Sequence, residues 1–565
     1  MELSDLIARA EQWLQQDPEQ TTRMQLRQLI DEASLNSEAA SELSDCFKAD
    51  LQFGTAGLRG ALGSGPNRMN RVTVMRAAAG LGKYLLAQGE LGKRIVIGYD
   101  GRHFSRQFAI DSAEVLSALN FEVHLFADVV PTPVLAYSIK PMEACAGVMV
   151  TASHNPASDN GYKVYLGDGR QIVPPADQEI AKQISQVGDV RNLLKSQDYE
   201  TTTQELVDQY VRRITQLISS GPVEHSALKT VQFVYTAMHG VGWETFSRVL
   251  TASGFSGVVS VAAQQEPNPD FPTVEFPNPE EPGALDLAIK TAIQNSAQVI
   301  LANDPDADRL AVALPDNSGN WQRLRGDQVG VLLGWWLIER SRLHGETLAG
   351  TFANSIVSST QLADLAKSVG MNFATTLTGF KWVSRVPNLI YGYEEALGYC
   401  VDPESVSDKD GISAAVIFLE LLAYLNTHSK TLWQLLDELA LQFGFNGTDQ
   451  ISVRISDISE VQSVMAKLRQ IGQTNLGEFE VTQFVDLELG ENLPATDGLI
   501  FEFAPFDEVR WSRIIVRPSG TEPKIKCYLE VKSTNSDLNQ AKQQSHQALA
   551  KLAEAVKPFL TGGGK

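Results

Sequence analysis

From about residue 50 onward, short apolar runs alternate with longer mixed stretches. Arg94-Ile95-Val96-Ile97-Gly98, Val123-His124-Leu125-Phe126 and Ala146-Gly147-Val148-Met149-Val150 are too short for helices and rich in β-branched residues, so they predict buried strands. Helix-like stretches lie between them, and that alternation predicts an α/β fold. The pattern restarts at Gln232-Phe233-Val234-Tyr235 and Val258-Val259-Ser260-Val261. It resumes again after Arg325-Gly326-Asp327, with a helix predicted over 329–340 and strands around Gly350-Thr351-Phe352 and Leu389-Ile390-Tyr391. The last section ends in the strand-like Arg513-Ile514-Ile515-Val516 and a terminal helix. Residues 1–46 are polar and helical in pattern, with Leu6, Ile7, Trp13 and Leu14 spaced for one apolar face. The resulting partition is an N-terminal helical extension over 1–46 and four units over 47–205, 206–325, 326–445 and 446–565. The polar stretch near 190–204 reads as a surface helix or a link, and 562–565 as a flexible tail.

Composition narrows the function classes. A chain of 565 residues is too long for one core, and 43% apolar with 20% charged residues is ordinary for a globular protein. The net charge of −21, from 47 basic and 68 acidic side chains, argues against a general nucleic-acid binder and against attraction to anionic membrane. An anionic ligand therefore requires a focused basic cluster, and a small molecule is the expected partner. Cys46, Cys145, Cys400 and Cys527 have no C-x-x-C spacing, which indicates neither a zinc ribbon nor a disulfide framework. The first residues lack the basic and apolar regions of a signal peptide, and the apolar stretch 411–425 is interrupted by Glu420. A soluble, cytoplasmic protein is expected.

Six stretches are candidates for chemistry. Thr151-Ala152-Ser153-His154-Asn155-Pro156 follows a predicted strand and places a serine hydroxyl in the loop beyond it, a candidate nucleophile. Lys163 lies ten residues on, and the turn expected at Asn160-Gly161 would fold it back beside the serine as a base. Asp304, Asp306 and Asp308 alternate at the end of another predicted strand, a concentration of like charge that is costly without a cation. Oxygen-only donors suit magnesium, manganese or calcium, and the EF-hand reading fails because Arg309 and Pro315 stand where Gly and Glu are needed. Arg517, Ser519, Gly520 and Thr521 offer the guanidinium, hydroxyls and open backbone that surround a phosphate, and read equally as an ordinary turn. Glu394 and Glu395 suit sugar hydroxyls, although Glu395 also suits a helix N-terminus. Thr378, Gly379 and Lys381, with Trp382, suit a phosphosugar, while Trp382 fits a core equally well. The glycine-rich loop 53–60 carries Arg59 and matches no P-loop or dinucleotide pattern. His154 is read as a support for the Ser153 loop, and His103 and His239 have no assigned role.

In chain order and spacing, Thr151 to Pro156, Asp304 to Arg309, Glu394-Glu395 and Arg517 to Thr521 resemble the four signatures of the α-D-phosphohexomutase superfamily, over about residues 50–530. The resemblance implies three mixed α/β domains and a smaller C-terminal α+β domain around a central cleft. It implies that Ser153 carries a phosphoryl group and that Asp304, Asp306 and Asp308 hold Mg2+ with an oxygen of phosphorylated Ser153. It makes Lys163 the general base or acid, sets Arg309 and Arg59 beside the reacting phosphate, and gives Glu394 the sugar hydroxyls. Arg517, Ser519, Gly520 and Thr521 would grip the phosphate that is not reacting. The implied activity interconverts glucose 1-phosphate and glucose 6-phosphate through a phosphoserine, with a sugar 1,6-bisphosphate as intermediate and activator. The last domain would swing on a hinge to let that intermediate turn. Mannose, ribose or deoxyribose phosphates are the alternative substrates by the same mechanism, and a magnesium-dependent sugar phosphatase is the alternative reaction. Tyr393-Glu394-Glu395-Ala396 departs from the Gly-Glu-x-Ser of many glucose and mannose phosphate enzymes. That form is similar to the second-type phosphoglucomutase and phosphopentomutase subgroup.

Overall fold

The computed structural model describes residues 2–560 except 203, 456, 457, 473, 492 and 519–523, without the side chains of 458 and 459. Ser519, Gly520 and Thr521 of the expected phosphate loop, and the 562–565 tail, lie outside the described residues. The chain forms two units, one of residues 1–324 with 397–424 and one of 325–396 with 425–565.

The first unit opens with three helices, Leu3–Gln16, Gln20–Glu32 and Ser37–Phe47. Leu6, Ala10, Trp13 and Leu14 bury one face of the first helix, and Trp13 meets Phe47 edge-on at 6.1 Å. Its six-stranded sheet runs Leu58–Ala61, Asp159–Leu166, Ala146–Val150, Arg94–Tyr99, Glu122–Phe126, Glu200–Thr202. Strands Ala146–Val150, Arg94–Tyr99, Glu122–Phe126 and Glu200–Thr202 are parallel neighbours, whereas Asp159–Leu166 runs antiparallel to both of its partners. All five residues of Ala146–Val150 are buried, which explains why that segment reads as a continuous apolar run. Helix Arg71–Ala87 leads into the parallel part, and Ser105–Ala118 and Thr132–Ile139 connect its strands. The polar stretch near 190–204 is neither helix nor link alone, because Glu200–Thr202 joins the sheet as its edge strand.

A second sheet of the same unit has the order Trp321–Arg323, Ala311–Pro315, Val299–Ala302, Phe233–Thr236, Val258–Ser260. Val299–Ala302 runs parallel to Phe233–Thr236 and antiparallel to Ala311–Pro315, so the loop of residues 303–310 connects adjacent antiparallel strands.

In the second unit, strands Asn372–Thr376, Thr351–Ser355 and Leu389–Glu394 are parallel, with Thr351–Ser355 in the middle. The predicted helix over 329–340 is present as Gly326–Leu343. The C-terminal part is an antiparallel sheet of Phe445–Arg454, Lys524–Ser533, Val509–Pro518, Leu499–Phe503 and Val481–Asp486, with the terminal helix Leu538–Leu560. No single described helix is long and apolar enough to cross a membrane. The fold is α/β, with three α/β sheets and a smaller α+β C-terminal part.

Candidate active site

Ser153 leaves the buried strand Ala146–Val150 in a left-handed backbone conformation, φ +52°, which costs a non-glycine residue about 1–2 kcal/mol. Ser153 is 2% exposed, and its hydroxyl donates to Asp304 Oδ2 at 2.5 Å. On its other side it lies 3.2 Å from His154 Nδ1. Burial, then the guanidinium groups of Arg309 and Arg59, hold His154 well below its ordinary pKa, so the ring is neutral at neutral pH.

Lys163 reaches the same site by a route the sequence reading did not foresee. No turn forms at Asn160-Gly161, since both residues lie within the strand Asp159–Leu166. That strand pairs antiparallel with the serine's own strand, Met149 opposite Lys163, and the pairing itself returns the lysine to the site. Gly161 serves close approach: a Cβ there would sit 2.6 Å from Thr151 O and 2.9 Å from Leu58 O. The outer neighbour of this strand is Leu58–Ala61, which carries Arg59 opposite Gly161. Arg59 donates to Asn155 Oδ1 at 3.3 Å and so faces the serine loop.

The three aspartates occupy the loop between Val299–Ala302 and Ala311–Pro315, and each is at most 1% exposed. One oxygen from each lies within 4.8 Å of the others. Asp304 accepts from Ser153 and from Arg309 N, Asp306 from Thr132 Oγ1 at 2.6 Å and Lys163 at 2.7 Å, and Asp308 from Lys163 at 2.8 Å. Burial, then the charges of Asp306 and Asp308, pushes Asp304 up to about 8. Burial and a like charge also work against ionisation of Asp306, but Lys163 outweighs them and its pKa falls. At Asp308 burial is opposed by Lys163, Lys409 and Arg309, and again the pKa falls. Two buried oxygens, Asp306 Oδ1 and Asp308 Oδ1, have no hydrogen-bond partner among the described residues. Buried carboxylate oxygens are rarely left so, and an oxygen-liganded cation between these side chains would satisfy both. The donor set fits magnesium.

For Lys163, burial favours the neutral amine, while Asp306 and Asp308 favour the ammonium, and the balance raises its pKa. In this arrangement the lysine holds its proton. Arg309 lies with Nε 4.0 Å from Asp304 Oδ2 and 3.9 Å from Asp308 Oδ1. Ser153, His154, Lys163, Arg59, Arg309 and the three aspartates thus come together within one unit.

Sequence reading missed two members of this cluster. Thr132, at the start of helix Thr132–Ile139, holds Asp306 through both its hydroxyl and its backbone N–H. Lys409 Nζ lies 3.1 Å from Asp308 Oδ2. Nothing in the sequence around Lys409 marks this contact. The aspartate loop is also packed from behind by Gly240, where a Cβ would sit 2.2 Å from Pro305 Cα and 2.3 Å from its oxygen. Gly240→Ala is expected to cost about 1–3 kcal/mol through overpacking and to lower turnover by displacing the loop. Thermal melting and kcat measured together check this, and parental values of both would contradict it.

The remaining candidates belong to the second unit. Glu394 ends the strand Leu389–Glu394 and accepts from Gly379 N at 2.6 Å. Gly379, at φ +108°, precedes the short helix Phe380–Val383 that carries Lys381, with Thr378 just before it. Trp382 is half-buried, while Phe380 fills the core. Glu395 does not cap a helix. Its Oε2 accepts from Ser355 at 3.0 Å and Ser358 at 3.2 Å, which fixes the carboxylate. Arg517 lies in strand Val509–Pro518; burial, then the charge of Glu395, pushes the Tyr528 phenol up, against the opposing charge of Arg517, and Glu394 adds to the rise. The sugar-loop carboxylates and Arg517 are therefore near one another.

Comparison with known proteins gives matches along most of the chain. The phosphoglucomutase/phosphomannomutase family models match in order: alpha/beta/alpha domain I over 50–191, domain II over 208–319, domain III over 325–443, and the C-terminal domain over 495–548. A probable phosphomannomutase of Haemophilus influenzae is 45% identical over 497 residues, covering 87% of this chain and 98% of the relative. A human phosphopentomutase is 35% identical over 585 residues, covering 96% and 94%. The open form of parafusin from Paramecium, a solved phosphoglucomutase, shares the fold with a TM-score of 0.69 at 20% identity, covering 91% of this chain and 96% of that one.

Proposed function

We propose that this chain, which belongs to the phosphoglucomutase/phosphomannomutase family and is a phosphosugar mutase, interconverts glucose 1-phosphate and glucose 6-phosphate through a phosphoserine at Ser153. The observation that carries the assignment of the serine is its hydroxyl bonded to Asp304 inside a buried three-carboxylate cluster.

In the forward half-reaction the bond from Ser153 Oγ to phosphorus breaks as a free sugar hydroxyl bonds to the same phosphorus, giving a sugar bisphosphate. Arg309 and Arg59 offset negative charge on the transferring oxygens. Lys163 carries the proton: an ammonium at rest, it gives one to the departing Ser153 oxygen and takes one from the attacking sugar hydroxyl, so it ends each half-reaction as it began, and its raised pKa suits the giving step. Neutral His154 holds the serine hydroxyl in line. Magnesium is the cation of this reading, and Asp304, Asp306, Asp308 and an oxygen of phosphorylated Ser153 would hold it. Its chemistry when bound is to neutralise charge that builds on the transferring phosphoryl group.

Substrate choice rests on the second unit. Glu394 and Glu395 are fixed by Gly379 N and by the two serines, so each offers an oriented acceptor to vicinal hydroxyls. Lys381, Thr378 and Gly379 line the same loop, and Arg517 with Ser519, Gly520 and Thr521 takes the phosphate that is not reacting. A mannose or pentose phosphate is the second reading, favoured by the names of the relatives. A cytoplasmic location belongs to the proposal and is supported by four free cysteines, which suit a reducing compartment.

The test is incubation of the purified protein with magnesium, a trace of glucose 1,6-bisphosphate and, separately, glucose 1-phosphate, mannose 1-phosphate and ribose 1-phosphate. Isomer and free phosphate are followed together. Fastest isomerisation of the glucose ester without phosphate release is expected. A higher kcat/KM on another sugar would replace the substrate, and phosphate release at the turnover rate would replace the reaction.

A further inference from the structure

We propose that Arg102 is a positioning residue for Ser153, acting on the backbone of the serine loop and not on the substrate; this rests on the reading of Ser153 as the phosphoryl carrier. Arg102 lies just beyond strand Arg94–Tyr99 and is 5% exposed. Among the described residues, its two terminal nitrogens donate to backbone carbonyls of that loop and of the first residue of the strand that follows it. Nη2 reaches Ser153 O at 2.5 Å and Asn155 O at 2.6 Å, and Nη1 reaches Pro156 O at 2.8 Å and Asp159 O at 3.1 Å. The loop is thereby pinned from its serine to the first residue of the next strand. A guanidinium fixes the directions of these donors in one plane, which a flexible ammonium does not.

The clamp is itself held from two sides, by Asp100 and by Phe271. Its Nε lies 3.3 Å from Asp100 Oδ2, and its backbone N–H donates to Asp100 Oδ1 at 3.0 Å. Ser105 Oγ donates to the same Asp100 oxygen at 2.6 Å. The guanidinium carbon stands 4.9 Å from the centre of the Phe271 ring. Every group in this chain of contacts is within the first unit.

Ser153 requires such a clamp because of its left-handed backbone. A non-glycine residue stays in that region only where its surroundings over-determine it. Relaxation toward an extended conformation would turn the hydroxyl away from Asp304, and with it from the aspartate cluster. Misplacement of a reacting group by about 1 Å costs on the order of a hundredfold in rate. A binding role predicts a changed KM. A positioning role predicts an unchanged KM and a slow phosphoryl step.

The experiment uses the full chain carrying Arg102→Gln or Arg102→Lys. Ser153 phosphorylation by glucose 1,6-bisphosphate is followed by rapid quench and peptide mass, alongside kcat and KM for glucose 1-phosphate. The expected result for Arg102→Gln is a labelling rate and kcat lower by about a hundredfold, with KM within about threefold of the parent. Labelling at the parental rate per folded molecule would overturn the proposal, as would a loss that appears in KM alone. If Arg102→Gln does not fold, Arg102→Lys and Asp100→Asn decide. The second leaves the four carbonyl bonds and loosens only their anchor, so a smaller, roughly tenfold fall in labelling rate is expected. Unchanged rates in both would overturn the proposal. Absence of label at Ser153 in the parent chain would instead overturn the phosphoserine reading on which the proposal rests.

Discussion

Ser153→Ala is expected to lower kcat by on the order of 10^4-fold or more while leaving the fold in place, as loss of a covalent nucleophile does. The hydroxyl is the acceptor of the phosphoryl group, and no second hydroxyl is bonded to Asp304 among the described residues. The fold survives because the loop is held through its carbonyls by Arg102, which the substitution does not touch. What is lost structurally is one hydrogen bond to a buried carboxyl, about 2 kcal/mol or less. Turnover in the presence of glucose 1,6-bisphosphate and a thermal melt of the same sample are the two measurements. Residual turnover above about 1% of the parent in a clean preparation would remove Ser153 from the role.

Asp308→Ala is expected to abolish turnover and also to destabilise the chain by about 3–5 kcal/mol, the cost of removing one partner from a buried ion pair. Its Oδ2 faces two ammonium groups, Lys163 at 2.8 Å and Lys409 at 3.1 Å, and the aspartate side chain is 2% exposed. Truncation leaves Lys409 with Asp408 at 3.4 Å and Lys163 with Asp306 alone. Urea denaturation checks this: the midpoint should fall with the slope unchanged. The parent should be stabilised by added magnesium in proportion to RT ln(1 + [Mg2+]/Kd), and the variant should not. An unshifted midpoint would mean that water already screens these lysines.

Parallel strands were legible because burial on both faces leaves continuous apolar runs, as at Ala146–Val150 and Val299–Ala302. The antiparallel C-terminal sheet was less so. Val481–Asp486 buries only its first residue fully, so its sequence shows neither a run nor a clean alternation. The serine and the three aspartates stood out because each follows an apolar strand, where a polar cluster requires an explanation. Lys163 was found for the wrong geometric reason, since Asn-Gly favours a turn and the strand pairing overrode it. Lys409 was invisible because its partner lies about a hundred positions earlier, and contacts at that range leave no local pattern.

That separation bears on how the protein is made. The aspartate loop leaves the ribosome well before residues 397–424, yet it is this later segment that supplies Lys409 to Asp308, Asp408 to Tyr165, Asp410 to Tyr210 and Asp402 to Arg213. At about 5–20 residues per second, roughly 5–20 s of further synthesis pass before the missing cation arrives. During that interval the nascent first unit carries its crowded carboxylates without Lys409. A message truncated after codon 324 therefore encodes not a smaller enzyme half but a unit deprived of its own closing segment.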